Sequence, residues 1–353
     1  MLINMDFSSP LSAFLGIIAS KVKSGCCLES RENELNIPHI PVLAEETVGS
    51  FSGVRNGWIV DCTIGYGGHT EALLERYPEI GVVGIDRDAE AISFCRRRLE
   101  RYGERVKFVR GSFASRVGEV LDSFPISGIL ADFGVSSLQL DKRERGFSFD
   151  SDTLDMRMDS DSGFSAYDLV NGYGVEKLER IFREYGELGN RSARLAEKIV
   201  EARSSSPIGS ARRLSEISIE VLGTRGRIHP ATLVFQAIRI EVNDELGEIE
   251  SLLDTLERKR PYGATVSLIT FHSLEDRLVK RRFSKWSKGC ICHRDAMRCT
   301  CGGDHSLGRP ASRKPVTASA KEISDNPRSR SAKLRTFHFS KGVGPDVSDT
   351  GSR

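Results

Sequence analysis

The sequence predicts an α/β fold: a parallel sheet with crossover helices, into which an all-helical segment is inserted. Three features point there. An apolar run, Trp58–Cys62, ends in a glycine-rich turn, Thr63-Ile-Gly-Tyr-Gly-Gly-His69. After a helix-like segment, a second apolar run, Val82–Asp86, ends in an acid. From Trp58 to Phe133 strand and helix patterns alternate at the spacing of βαβ units.

Taken in order, strands are expected at 58–62, 81–86, 105–110 and 127–133, with helices at 69–77, 88–102 and 114–123. Asp61, Asp86, the Ser112-Phe113 pair and Asp132 then fall at strand C-termini, the edge where open α/β sheets bind ligands. Residues 134–163 are rich in Gly, Ser and Asp and lose the strand period. From Val175 to Leu222 the period is helical. Leu178, Ile181, Phe182 and Tyr185 form one face, Leu195, Ile199 and Val200 another, and Leu214, Ile217, Val221 and Leu222 a third. A long helix is expected from Pro230 to Arg258, and strand character returns at Ala264–Phe271. The resulting division is a variable extension (1–36), a core in two pieces (37–141 and 233–308), an inserted helical substrate-recognition domain (142–232) and a basic tail (309–353). The Pro/Ser/Lys composition of that tail predicts a segment lying on the surface or mobile.

At 353 residues the chain can bury a large core. No stretch reaches the roughly 18 to 20 continuous apolar residues that span a bilayer. Leu11–Ala19 is apolar but short, and Met1–Pro10 carries no Lys or Arg, which argues against an export signal and for a cytoplasmic protein. The eight cysteines are then expected as thiols or metal ligands rather than disulfides. Net charge is near neutral, but Arg309–Arg335 holds eight Lys/Arg against two acids. Such a stretch fits a phosphate-bearing partner and equally a solvated tail.

The glycine turn carries the chemistry. Glycines let the backbone turn tightly and approach a ligand without Cβ interference. Asp86, about 20 residues on, can accept from both ribose hydroxyls of an adenosine cofactor. The spacing Gly65-x-Gly67-Gly68-His69 lacks the third glycine of the dinucleotide fingerprint, and His69 stands where close helix packing would begin. That favours S-adenosylmethionine, which has no phosphate to cradle, over NAD.

Longer blocks add a resemblance. They include Gly65-x-Gly-Gly-His69, Ile85-Asp-Arg-Asp88, Asp132-x-Gly-Val-Ser-Ser137, Glu144-Arg-Gly-Phe-Ser-Phe149 and Leu154-Asp-Met-Arg-Met-Asp159. Further along come His229-Pro-Ala-Thr232, Asn243-Asp-Glu-Leu246, Phe271-His-Ser-Leu-Glu-Asp-Arg277 and Asn326-Pro-Arg-x-Arg-Ser331. In this order, from His39 to Arg335, the chain resembles the bacterial ribosomal RNA small-subunit methyltransferase H family, which methylates N4 of a cytidine in 16S ribosomal RNA. The resemblance implies a Rossmann-like, S-adenosylmethionine-dependent methyltransferase core with an inserted helical domain. It implies cofactor contacts at Gly67, Gly68, His69, Asp86, Phe113, Asp132 and Gln139, and a partner in 16S ribosomal RNA on the small subunit, with no membrane. A homodimer is left open.

Asp132 is the candidate catalytic residue, as base or as positioner of the acceptor amine. Phe147 and Phe149, beside Arg143, Arg145 and Arg157, offer base stacking and phosphate contacts, or else pack the insert onto the core. Arg239 and Asn243, four apart on one helix face, can act on RNA or brace the two parts of the molecule. His272-Ser273-x-Glu275-Asp276 reads as a wall of the active site or a structural network. Cys290-x-Cys292 and Cys299-x-Cys301 admit a structural zinc or free thiols. A methyltransferase on another acceptor, and a non-catalytic RNA-binding factor with a vestigial pocket, remain as alternatives.

Overall fold

The structure is a computed structural model and describes residues 41–136, 139–140, 142–224, 229–293 and 295–340. The expected extension over 1–36 lies outside the described residues, as do Ser137 and the end of the basic segment from 341.

The early strands fall where the alternation places them: β1 (Gly57–Asp61), β2 (Ile80–Asp86), β3 (Val106–Arg110) and β4 (Ile126–Asp132). Between them run α2 (Gly68–Arg76), α3 (Ala89–Arg98) and α4 (Phe113–Ser123), after a short α1 (Ala44–Ser50). Later come β5 (Thr265–Thr270), β6 (Gly308–Pro310), β7 (Val316–Thr317) and β8 (Lys333–Phe339). The sheet order is β3-β2-β1-β4-β5-β8-β6, with β7 paired to β8. Neighbours from β3 to β5 are parallel, and β8 runs antiparallel to both β5 and β6. This is a Rossmann-like doubly wound sheet. The chain winds outward from β1 through β2 to β3, then crosses back to β4 on the other side of β1. At that switch point the carboxyl ends of β1 and β4 diverge and leave a crevice.

Alternate residues of the strands feed two cores. Val60, Val83 and Ile129 face a cluster containing Val117, Leu252, Phe283 and Trp286. Ile59, Val82 and Leu130 face a second, with Phe51, Leu73 and Cys95. Period-2 side-chain direction makes one strand serve both layers. Burial on both faces explains why β2 reads as a nearly continuous apolar run up to Asp86.

Residues 142–232 contribute helices α5 (Ala166–Gly172), α6 (Val175–Glu184), α7 (Arg191–Ser205) and α8 (Ala211–Leu222). The apolar faces at 178–182, 195–199 and 214–217 meet in a separate cluster that also takes in Leu154, Met156, Val234 and Ile238. Among the described residues no helix is long and apolar enough to cross a membrane.

Two expectations need correction. The single helix from Pro230 to Arg258 is two, α9 (Ala231–Asn243) and α10 (Glu245–Lys259), broken at Asp244 in the left-handed region at φ 49°. Gly247 makes room for the break, since a Cβ there would stand 2.5 Å from the Asp244 carboxylate. Nor do all of residues 309–340 lie on the surface: 311–328 are mostly exposed, as expected, but 332–339 are not. After α12 (Ala320–Asp325), β8 enters the sheet beside β5, with Phe337 fully buried. Phe337 and Phe339 pack on Trp286, and on each other at 5.2 Å between ring centroids. The interleaved charges hid this strand. Arg335 lies on it and pairs with Asp276 of α11 (Ser273–Trp286) at 2.7 Å, both largely buried.

Candidate active site

The loop leaving β1 is held from several sides. Asp61, buried at the strand end, accepts from the Thr70 hydroxyl at 2.6 Å and from the Thr63 N–H at 3.2 Å. Burial pushes its carboxyl above the usual range, partly offset by the Thr70 hydroxyl and His69. Asp61 therefore ties the loop to the start of α2 and stands under the site rather than in it. Gly67 starts α2 at φ 76°, and a Cβ there would press on Cys95 and Leu99 at 3.1 Å. Gly67 is thus required by backbone shape and packing, and it does not line the cavity described next.

A cavity of about 360 Å³ opens at the carboxyl edge between β1 and β4. Of the residues singled out from sequence, Gly68, His69, Asp86, Phe113, Asp132 and Gln139 line it. Asp86 ends β2 and accepts from the N–H groups of Gly65 and Asp88, each at 2.9 Å. Those bonds aim the carboxylate. Burial raises it to about 6 against their lowering effect. Phe113 begins α4 with its ring 5.9 Å from that of Phe133, so one apolar wall is aromatic.

Asp132 ends β4, and its backbone N–H donates to the Thr63 hydroxyl at 2.7 Å, locking the two strand ends together. His69 Nε2 stands 3.6 Å from Asp132 Oδ2, short of a hydrogen bond. Asp132 Oδ1 and both ring nitrogens of His69 are buried and make no hydrogen bond. Buried polar atoms are normally satisfied, so three orphans on one wall mark a place for a polar ligand group. Gln139 is committed differently. Its Oε1 accepts from Ser136 N–H at 3.0 Å, and its amide donates toward Asp88 and the Met158 carbonyl, both at 3.3 Å. It shapes the wall from a buried position.

Other parts of the wall come from distant segments. Arg239 reaches it in a bidentate pair with Glu245 at 2.6 and 2.9 Å, bridging the break between α9 and α10. Sequence reading gave Arg239 a role but gave none to Glu245, which stands in the Asn243-Asp-Glu-Leu246 block and whose place depends on that break. Glu275 accepts from the Phe271 and His272 N–H groups, closing a capping box at the start of α11. Burial pushes Glu275 up, but His272, the Phe271 N–H and Arg239 outweigh it and hold the carboxyl below the usual range. The His272–Asp276 stretch is therefore both wall and network. Arg328, from the segment read as a tail, lines the same cavity. Its motif was visible in the sequence, but its distance along the chain concealed its place.

Residues 145–158 brace this wall. Arg145 pairs with buried Asp88 at 3.1 Å and donates to the carbonyls of Arg157 and Met158, both at 3.0 Å. Asn243 accepts from Met158 N–H at 2.7 Å and donates to the Met156 carbonyl at 2.8 Å. Phe147 is buried, and Phe149 stacks on His229 at 4.6 Å and meets Phe235 edge-on. Arg157 is held by Asp155 through paired 2.8 Å contacts. Of the groups expected to meet RNA here, only Arg143 is well exposed, and it pairs with Asp150 at 2.8 Å.

Residues 36–340 match the model of the MraW methylase family. The chain is 59% identical over 305 residues to the protein named Ribosomal RNA small subunit methyltransferase H from a Sulfurovum species, covering 86% of this chain and 99% of that one. It is 54% identical to the protein of the same name from a Nitratiruptor species, again over 86% of this chain and 99% of that one.

Proposed function

Because the chain belongs to the MraW methylase family, we propose that it transfers a methyl group from S-adenosylmethionine to the exocyclic N4 amine of a cytidine in the 16S ribosomal RNA of the small subunit. Such a substrate places the reaction in the cytoplasm. The observation that carries the reading is the orphaned acceptor Asp132 Oδ1 beside His69, in a cleft that Asp86 also lines.

The residues fit the cofactor. Asp86, fixed by two backbone N–H groups, keeps acceptor capacity for ribose hydroxyls. Phe113 and Phe133 offer an apolar face for adenine, and Gly68, whose missing Cβ makes room for Pro41, lines the cleft at the start of α2. When bound, S-adenosylmethionine supplies a methyl group on a sulfonium, already activated for transfer. That chemistry asks for no metal, so a zinc at the four clustered cysteines would be structural.

The acceptor side is where the chain must act. The N4 lone pair of cytosine is delocalised into the ring, so the amine is a poor nucleophile. Asp132 Oδ1 accepts one of its N–H bonds, which favours a pyramidal nitrogen and orients the lone pair. The same oxygen takes the proton as the nitrogen becomes positive, with His69 Nε2 positioned beside the other carboxylate oxygen. Alignment in the cleft supplies much of the remaining rate.

The direct test is methyl transfer from labelled S-adenosylmethionine to small subunits that lack the modification, followed by nucleoside analysis. Label in N4-methylated cytidine is the expected result, and label in another nucleoside would overturn the acceptor. The cofactor side has a pH signature. Asp86 must be ionised to accept from ribose, and its carboxyl sits at about 6. Affinity for the cofactor should hold above neutral pH and weaken on acidification, to about tenfold weaker at pH 5. Asp86→Asn should lose that dependence and bind weakly throughout. Titration calorimetry across this range checks both, and a flat wild-type profile would remove Asp86 from the ribose site.

A further inference from the structure

Between Trp286 at the end of α11 and Gly308 at the start of β6, the described residues form no helix or strand. The feet of this segment are joined, since Leu307 N–H donates to the Trp286 carbonyl at 2.8 Å. Inside it almost nothing apolar is buried: Ile291 is 65% exposed and Met297 fully so. A structureless loop of this length in a compact protein needs something other than a core to order it.

The four cysteines gather at its centre. The Sγ atoms of Cys290 and Cys299, and of Cys299 and Cys301, are 3.6 Å apart, and those of Cys290 and Cys301 are 3.7 Å apart. With Cys292, all four lie within 4.8 Å of one another. A disulfide would need about 2.0 Å between sulfurs. A tetrahedral zinc at about 2.3 Å from each sulfur sets them about 3.8 Å apart. The two Cys-x-Cys legs are also cross-tied: Ile291 N–H donates to Cys301 Sγ at 3.4 Å and Thr300 N–H to Cys292 Sγ at 3.3 Å. Sulfurs that accept from backbone N–H groups are held as thiolates are in metal sites. The nearby histidines are engaged elsewhere, His293 with Asp295 at 3.2 Å and His305 with the Cys301 carbonyl at 2.8 Å.

We propose that Cys290, Cys292, Cys299 and Cys301 bind one zinc ion in a closed four-thiolate site that folds the segment between α11 and β6. Binding releases the thiol protons and involves no redox change. Four protein ligands leave no open position, so the ion orders the loop and takes no part in methyl transfer. The site lies outside the cleft, and its proposal does not depend on the reaction assigned there.

The full chain, purified under reducing conditions without chelator, should carry about one zinc by elemental mass spectrometry. A mercurial thiol reagent should release that zinc as the thiols react. Cobalt added to metal-stripped chain should give the visible bands of a tetrahedral thiolate site. Cys299→Ser and Cys301→Ser should each lose the metal and speed amide hydrogen exchange in 287–307, while cofactor affinity stays at the wild-type value. A wild-type chain that holds no zinc and takes none up, that carries iron instead, or whose mass shows two disulfides would overturn the proposal.

Discussion

Asp132→Asn should lower the turnover of methyl transfer to small subunits by about 100-fold or more, within the range for loss of a positioned acid–base group. The substitution keeps the shape of the side chain and the backbone N–H bond to Thr63, so the β1 and β4 ends stay locked. It removes the charge and offers an amide where Oδ1 now has no partner. Melting temperature should change little, and cofactor affinity, set mainly by Asp86 and the aromatic wall, should stay within a few fold. Labelled-methyl assays at saturating cofactor measure the turnover, and calorimetry measures the affinity. Near-normal turnover in the variant would show that Asp132 neither takes the proton nor orients the amine. His69→Ala should have a smaller effect, because its ring stands behind the carboxylate at 3.6 Å.

The largest effect on stability is expected at Arg145. Its guanidinium pairs with Asp88, whose side chain is 5% exposed, and satisfies two backbone carbonyls of the insert. Arg145→Ala strands a buried carboxylate against the remaining Gln139 contact and its N-cap bond to Glu90. Breaking a buried pair from one side costs about 3 kcal/mol or more. The midpoint of denaturant unfolding reads this directly. Asp88→Ala combined with Arg145→Ala should cost clearly less than the two single changes added together. Arg145→Lys should recover only part of the loss, since an ammonium cannot span the carboxylate and both carbonyls with a planar fork. A loss below about 1 kcal/mol for Arg145→Ala would mean that water replaces the guanidinium and the pair does not brace the wall.

How far the site was legible in the sequence follows from these residues. Asp86, Phe113 and Asp132 were readable because each ends a strand or starts the helix after one, and local periodicity locates strand ends. His69 and Gly68 came with the turn between β1 and α2. The resemblance implies a cofactor contact at Gly67, but a glycine's structural reason is invisible in sequence: the space its missing Cβ leaves is filled by Cys95 and Leu99. Gln139 was readable as polar and near the site, but not as a buried strut. Arg145 was singled out for phosphate and Asn243 for RNA or bracing; the bracing partners of both, Asp88 and the 156–158 backbone, are visible only in the structure.

What the sequence by itself determined is the βα alternation, the helical period of residues 175–222 and the acids at the carboxyl edge. These depend on side-chain spacing over a few residues, where pattern and backbone geometry are tightly linked. Tertiary structure alone decided that Lys333–Phe339 joins the sheet, that the chain breaks at Asp244, that Arg328 reaches the cleft and that four cysteines close into a cluster of thiols too wide for disulfides. Each depends on contacts between distant segments. A charged strand such as β8 is stable only once Asp276 neutralises Arg335 and the aromatic cluster receives Phe337, and neither partner lies within the window that sets local preference.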